Sequence, residues 1–367
     1  MDQIKRFLDC YIPTETCNLR CHYCYIAQQR KFENVLASFS QSKETIRKAF
    51  SKERLGGPCL LNFCAGGETL LSGELLPIVR ELVEEGHYAM IVTNGTITKR
   101  FEEIAAWPEE LRERLFIKFS FHYLEMKRLG WMDRFFDNVS LMKQCGVSFT
   151  VEITPSDELI PYIDEVKETC MHYLGALCHI TVARDDRTAG IEVLSQHDFD
   201  TYKKIWGQFE SELFSFKTKI FYQQRKEFCY AGQWSAYINL QTGDMRQCYC
   251  GKVLDNLYRD VTKPLNFEPV GYGCTLAHCY NGHAFLTLGD IPELEAPTYA
   301  QTRNRVCADG TEWLSPAMKS FMSTRLPDSN EEFTEQKKNA LKCKMIVKQQ
   351  LLKCRHALGR IKRAIIR

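Results

Sequence analysis

Short apolar segments alternate with longer amphipathic segments through the first half of the chain. The apolar segments lie at about 7–13, 59–65, 87–93, 115–123, 147–154 and 177–184, and each has the length of a buried strand. Segments with helical periodicity lie between them, at about 42–54, 70–86, 98–114, 132–145 and 157–174. Six strands joined through helices predict an α/β fold with a parallel sheet covered by helices.

The pattern changes in the second half of the chain. After a helical bridge, short strand-like segments at Trp234–Leu240 and Met245–Cys250 flank a turn at 242–244, which predicts a hairpin. We therefore divide the chain into four parts. They are a core (residues 1–190), a helical bridge (191–228), a smaller region rich in cysteine (229–325) and a tail (326–367).

Composition excludes two classes of protein. The chain has 367 residues, of which 44% are hydrophobic, so it can bury a sizeable core and is not globally disordered. No stretch approaches the roughly 18–20 uninterrupted apolar residues of a membrane span, and the first residues lack the apolar segment of a signal peptide. We therefore expect a cytoplasmic protein.

The chain carries 17 cysteines, which in a reducing compartment indicates metal or redox chemistry rather than disulfides. Cys17, Cys21 and Cys24 form a first group, on a loop that follows the first predicted strand. Three thiolates on one loop can hold three irons of a [4Fe–4S] cluster and leave the fourth iron open to a ligand. A zinc site is the alternative, with His22 as the fourth ligand.

The C-x3-C-x2-C spacing, with Tyr23 before the last cysteine, resembles the signature of the radical S-adenosylmethionine (radical SAM) superfamily. The resemblance implies that the open iron binds SAM and that Tyr23 lines its site. It also implies that SAM is cleaved reductively to methionine and a 5′-deoxyadenosyl radical, which abstracts hydrogen from a substrate. A flavodoxin- or ferredoxin-type protein would supply the electron.

Three further segments strengthen the resemblance. Gly66, Gly67 and Glu68 follow a predicted strand and resemble the GGE motif that holds the amino group of SAM. Asn94 lies in a similar strand-to-turn segment, and Ser120 matches a serine that contacts SAM in peptide-modifying relatives, although it also fits an ordinary strand position. The family resemblance implies a partial (β/α)6 barrel of TIM type, with these residues at the carboxyl ends of its strands.

A second group of cysteines lies between residues 229 and 279. It is similar to the auxiliary-cluster regions called SPASM or Twitch, but five cysteines suffice for only one [4Fe–4S] cluster. We expect the ligands to be Cys229, Cys248, Cys274 and Cys279, with Cys250 as an alternative. A structural zinc site is the competing interpretation.

Four polar residues are candidates for substrate contact or proton removal, or have only structural roles: His122, Glu152, Arg184 and His283. We expect oxidation, dehydrogenation or another modification of a carbohydrate or lipid-linked sugar. The first alternative is an enzyme that modifies peptides or proteins, like a maturase of ribosomal peptides or of sulfatases. The cysteine loop begins at residue 17, which leaves no room ahead of it for a leader-binding module. The second is a zinc-stabilised binding protein without catalytic activity.

The chain ends in a basic segment. Residues 337–367 contain eleven Lys or Arg and no acid, and Leu341, Met345, Leu352, Leu358, Ile361 and Ile365 recur at helical spacing. This pattern predicts an amphipathic helix that either caps the barrel or contacts an anionic membrane surface or partner. No nucleic-acid-binding motif is present, and no such partner is expected.

Overall fold

The structure is a computed structural model that describes residues 2–347 and residue 350. Its strands are β1 (Arg6–Ile12), β2 (Cys59–Ala65), β3 (Tyr88–Thr93), β4 (Leu115–Ser120), β5 (Ser148–Ile153), β6 (His179–Ile180), β7 (Arg184–Asp185), β8 (Glu192–Val193), β9 (Ser235–Asn239), β10 (Asp244–Arg246) and β11 (Val253–Asn256). The helices of the first half are α1 (Tyr25–Gln29), α2 (Lys43–Ala49), α3 (Lys52–Leu55), α4 (Leu75–Glu84), α5 (Thr98–Ala105), α6 (Glu109–Arg112), α7 (Tyr123–Leu129), α8 (Met132–Gln144) and α9 (Ile163–Leu174). Those of the second half are α10 (Phe199–Gly207), α11 (Glu212–Ile220), α12 (Gly282–Phe285), α13 (Pro316–Ser323) and α14 (Leu326–Ser329).

Strands β1 to β6 form a parallel sheet in chain order, with helices in the connections, which confirms the predicted α/β fold. Local sequence explains where several of these helices begin. Ser42 and Ser211 precede α2 and α11, and each side chain accepts a hydrogen bond from a backbone N–H of the first turn.

Two strand boundaries differ from the prediction. The strand expected at 115–123 ends at Ser120, because the chain turns into α7 directly after His122. The strand expected at 177–184 is shorter as well, since only β6 pairs with β5. The chain then leaves the sheet, and Arg184–Asp185 pairs with β8 in a separate two-stranded sheet.

The predicted hairpin of the second half is part of the main sheet. Strand β9 runs parallel to β1, with Asp9 opposite Tyr237, and β10 and β11 continue the sheet beyond it. The nine strands follow the order β11-β10-β9-β1-β2-β3-β4-β5-β6. The cysteine-rich region is therefore joined to the barrel edge by backbone hydrogen bonds, and the four-part division stays a prediction.

The inner face of the sheet changes from apolar to polar along the strands. Phe7 and Phe116 lie near the strand starts, within an apolar cluster that α12 and α13 complete. The ring of Phe7 meets that of Phe285 at 5.4 Å, so helices from the end of the chain fill this part of the barrel. Two residues further along the same strands stand Asp9 and Lys118. The apolar starts of the strands are therefore covered by helices, and the polar residues toward the strand ends are available to form a site.

The first part of the basic tail is helical. Residues 335–347 form a helix in which Leu341 packs against the apolar cluster and Lys338 is buried beside Glu332 and Glu335. Residues 348–349 and 351–367, which include Leu352, Leu358, Ile361 and Ile365, lie outside the described residues. Within the described residues, no helix has the length and apolar character needed to cross a membrane.

Candidate cofactor pocket and second cysteine group

A cavity of about 140 Å³ opens at the carboxyl ends of β1 to β4. Most of the residues predicted to hold a cluster and SAM line it: Cys17, Cys21, Cys24, Gly66, Gly67, Glu68, Asn94 and Ser120, together with His122. Segments that are more than a hundred residues apart in sequence meet here because parallel strands end on the same side of the sheet.

Glu68 connects the GGE and Thr-Asn-Gly segments. One carboxylate oxygen accepts hydrogen bonds from the Thr93 hydroxyl (2.6 Å) and the Leu70 N–H (2.9 Å). The other oxygen accepts from the Asn94 N–H at 2.7 Å. Burial raises the pKa of Glu68, whereas these hydrogen bonds lower it. The carboxylate thus fixes two neighbouring turns and still borders the cavity, where it can accept a bond from a ligand ammonium.

Gly67 is required by the close approach of the cysteine loop. A Cβ at this position would lie 2.0 Å from the carbonyl oxygen of Thr16, so no other residue fits without a backbone shift. The Glu68 N–H donates to the same carbonyl at 2.9 Å. The second glycine of the motif therefore positions the loop that carries the cysteines.

The three thiols of the first group lie against one side of the cavity, where Cys21 is buried and Cys17 and Cys24 are half-buried. Burial raises the pKa of Cys17 to about 11 and also raises the pKa of Cys21 and Cys24, with the neighbouring thiols adding to the increase at Cys21. The amide nitrogen of Asn94 lies 3.9 Å from the Cys17 sulfur. Three thiols facing a carboxylate across one cavity fit a cluster that leaves one iron open to an amino-acid ligand.

Two aromatic residues of the cysteine loop differ from expectation. Tyr23 is absent from the cavity lining, and its hydroxyl is hydrogen-bonded to His122 Nδ1 at 2.7 Å. Tyr25 lines the cavity instead and donates to the Gly66 carbonyl. His22, the alternative zinc ligand, pairs with Glu158 at 2.8 Å and does not line the cavity. A helical segment follows Cys24, and it turns Tyr25 toward the turn at Gly66.

Glu152, which is opposite Ser120 in the sheet, lies in a buried ion pair rather than in open space. Its carboxylate contacts the Arg303 guanidinium and the Lys118 ammonium, the latter at 2.9 Å. Burial acts to raise the pKa of Glu152, but Arg303 and Lys118 together hold it at about 2. A carboxylate with so low a pKa is a poor proton acceptor. Sequence reasoning missed Arg303, because no motif surrounds it.

Asp9 occupies the same layer with neutral partners. It accepts hydrogen bonds from the side-chain amides of Asn62 (2.8 Å) and Asn281 (2.9 Å), and burial raises its pKa to about 6. Asn281 follows Cys279 by two residues. This contact links the barrel interior to the second cysteine group.

Arg184 and His283 also face this layer. Arg184 donates to the Tyr280 carbonyl at 3.2 Å. His283, at the start of α12, has a buried Nδ1 atom without a hydrogen-bond partner in the described part of the chain. Burial lowers its pKa, and Lys217, which sequence reasoning missed, lowers it further.

Tertiary structure also gathers the second cysteine group. The backbone of Cys229 pairs with Gly271, which brings it beside the segment that carries Cys274. Burial raises the pKa of Cys279, and the thiols of Cys248 and Cys274 add to the increase. The exposed Cys250 also adjoins Cys274. Partial burial raises the pKa of Cys250, and the Cys274 thiol raises it further. Both ligand sets proposed from the sequence are therefore clustered, and the choice between them stays a prediction.

Four thiols in one small region fit a second iron–sulfur cluster by donor type. Within the described residues, no three His, Cys, Asp or Glu side chains converge on a position for a single metal ion. The fit of both cysteine groups to a cluster therefore rests on donor type and on their proximity in the fold.

No curated protein matches the chain. Among solved structures, the chain is similar to Streptococcus suis SuiB bound to precursor peptide SuiA (16% identity over 70% of this chain and 63% of that chain, TM-score 0.47). It is also similar to anSMEcpe with bound AdoMet, with 16% identity over 70% of this chain and 76% of that chain and a TM-score of 0.48. A third similar structure is BtrN in complex with AdoMet and 2-DOIA, with 12% identity over 71% of this chain and 82% of that chain and a TM-score of 0.32.

The chain thus spans 63% of the length of the SuiB structure.

Residues 11–154 match the family model described as the radical SAM superfamily. This range contains the cysteine loop, the Gly66–Glu68 turn and strands β2 to β5. The chain is therefore similar to the radical SAM superfamily over residues 11–154.

Proposed function

We propose that this protein is an enzyme that binds a [4Fe–4S] cluster and SAM in the pocket and abstracts hydrogen from a substrate. The observation that carries the proposal is the convergence of Cys17, Cys21 and Cys24 with Glu68 and Ser120 around one cavity. When bound, the cluster and SAM supply the one-electron cleavage that yields methionine and a 5′-deoxyadenosyl radical.

The chain itself supplies positioning and exclusion of water. Glu68 and Asn94 offer polar groups to a ligand amino acid, while Leu19 and Ile26 line the cavity with apolar surface. A dry, shaped cavity protects a reactive species from side reactions.

For the substrate, we propose oxidation or dehydrogenation of a carbohydrate or lipid-linked sugar. The hydrogen bond between Asp9 and Asn281 brings the second cysteine group beside the barrel interior, where a cluster would be near the substrate. A second cluster there would be the electron acceptor.

Modification of a peptide is the second candidate. It is favoured by apolar side chains near the pocket, where Phe32 lines the cavity and Val35 and Leu36 are about half exposed. Exposed apolar side chains at the mouth of a site suit a peptide partner.

The first experiment measures iron and sulfide per chain after anaerobic reconstitution, together with 5′-deoxyadenosine formed from SAM under reduction. We expect about eight iron in the wild type and about four in the Cys17/Cys21/Cys24→Ala variant, since each [4Fe–4S] cluster contributes four. The variant should form no 5′-deoxyadenosine. Cys145→Ala is the matched control, because Cys145 lies outside both groups, and it should retain iron and activity.

Two other outcomes would contradict parts of the proposal. A fall from about four iron to none would show that the second group holds zinc or is empty. A colourless preparation that contains zinc and forms no 5′-deoxyadenosine would favour the zinc-stabilised binding protein.

A further inference from the structure

A cluster of cationic side chains lies between the cofactor pocket and the second cysteine group, and it outnumbers the acids around it. The cations are Lys118, Arg184, Lys217 and Arg303, and the acids near them are Glu152, Asp9 and Asp186. Lys217 and Arg303 are buried. Charges removed from water in this way are unfavourable unless they are paired.

Ion pairs engage only two of these four cations among the described residues. Glu152 forms ion pairs with both Lys118 and Arg303. Asp9 accepts hydrogen bonds from the side-chain amides of Asn62 and Asn281. Among the described residues, neither Lys217 nor Arg184 forms an ion pair, although Asp186 lies near Arg184. The Lys217 ammonium donates to the Thr181 hydroxyl at 2.6 Å.

Two histidines beside these cations carry unused ring nitrogens. Within the described residues, neither ring nitrogen of His278 has a hydrogen-bond partner, and His283 Nδ1 also has none. The ring of His278 is held against Phe221 (4.0 Å) and Tyr280 (4.9 Å), so its orientation is fixed by packing.

These groups are close to one another. The Arg184 guanidinium donates to the Tyr280 carbonyl, and the Tyr280 ring packs against the ring of His278, with 4.9 Å between the ring centroids. Lys217 lies on α11, which packs against α12, the helix that carries His283. Burial lowers the pKa of Lys217, and the nearby Arg184 lowers it further. Two cations and two sets of unused nitrogens therefore face a common region.

We propose that Arg184, Lys217, His278 and His283 form a receptor for an anionic group of the substrate, a carboxylate or a phosphate. Such a group would neutralise the two unpaired cations and accept hydrogen bonds from their unused donors. None of the four residues lines the cofactor pocket, so the receptor is separate from the SAM site. The inference rests on the proposed function only in taking the ligand to be the substrate of that reaction.

The test measures binding of inorganic phosphate and of acetate to the anaerobic, cluster-loaded protein by calorimetry. We expect saturable binding of one of them, which identifies the phosphate or the carboxylate as the anion. Lys217→Met should weaken that binding about tenfold or more. Lys219→Met is the matched control, since Lys219 is exposed on the same helix and should bind as the wild type does. If Lys217→Met does not fold, the same measurement is made on Arg184→Gln, since Arg184 is only half-buried. The same weakening of anion binding is expected.

Three results would overturn the receptor. They are no binding of either anion to the wild type, equal binding by Lys217→Met, and an equal loss of SAM binding in Lys217→Met, which would assign the anion to the SAM carboxylate. Formation of 5′-deoxyadenosine is measured on the same preparations. A wild type that forms it but binds neither anion refutes the receptor alone, and one that binds an anion but forms none refutes the proposed function alone.

Discussion

At the scale of single residues, Glu152 shows how tertiary partners determine what a side chain can do. Both of its oxygens are engaged by cations, and its pKa is held at about 2. Glu152→Gln removes the negative charge and leaves the fully buried Arg303 without a counter-ion. We expect the free energy of unfolding to fall by about 3–5 kcal/mol, the usual cost of breaking a buried ion pair from one side. Urea denaturation at neutral pH measures this.

Glu312→Gln is the control for that variant. Glu312 pairs with Lys319 at 2.7 Å, but both side chains are partly exposed, so the loss should stay below about 1 kcal/mol. Equal stability of Glu152→Gln and the wild type would show that the charge of Glu152 is not structural and would restore it as a candidate for proton removal.

At the scale of elements, His87 joins a helix end to a strand start. Its Nδ1 accepts from the Cys59 N–H (3.1 Å) at the start of β2, and its Nε2 bonds the Phe50 carbonyl (2.6 Å) after α2. This arrangement requires a neutral ring, and burial lowers the pKa of His87 from 6.5 to about 4. Because the folded pKa is the lower one, its stabilising effect is complete above pH 6.5 and is lost as the pH falls toward 4.

We expect the shifted pKa of His87 to lower the free energy of unfolding by up to about 3 kcal/mol as the pH falls from 6.5 to about 4. The measurement is the thermal midpoint from pH 8 to pH 4, compared between the wild type and His87→Gln, which should lose part of the pH dependence. His172→Gln, at an exposed histidine, should keep all of it. Identical pH profiles for the wild type and His87→Gln would refute the assignment.

At the scale of the whole molecule, the barrel depends on the second half of the chain. Strand β9 covers the edge of β1, and Phe285 and Phe321 pack on Phe7 and Tyr88 of the inner face. A fragment of residues 1–226 lacks all three features and exposes the apolar inner face. We expect it to aggregate or to unfold without cooperativity.

The control for this prediction is a chain that ends at residue 334, which keeps β9, α12 and α13. It should unfold in one cooperative transition, measured by circular dichroism and calorimetry. A cooperative transition in the fragment of residues 1–226 would instead show that the predicted core is an independent domain.

The site itself was largely predictable, because its residues lie in short segments. The spacing of Cys17, Cys21 and Cys24 and the turn at Gly66–Glu68 are local patterns that each end a recognisable strand. Tyr23 and Tyr25 could not be told apart in this way. Which of two nearby aromatic residues faces a cavity depends on where the helix after Cys24 begins.

The sequence by itself determined the alternation of strands and helices, the polar ends of the strands and the two groups of cysteines. Hydrophobic periodicity and motif spacing are properties of neighbouring residues, so they can be recognised without knowledge of contacts. Only the tertiary structure decided that β9 joins β1, that α12 and α13 fill the inner face, and that Arg303 pairs with Glu152. These contacts join residues roughly 150 to 280 positions apart. They are selected by burial and charge neutralisation over the whole fold rather than by any local pattern.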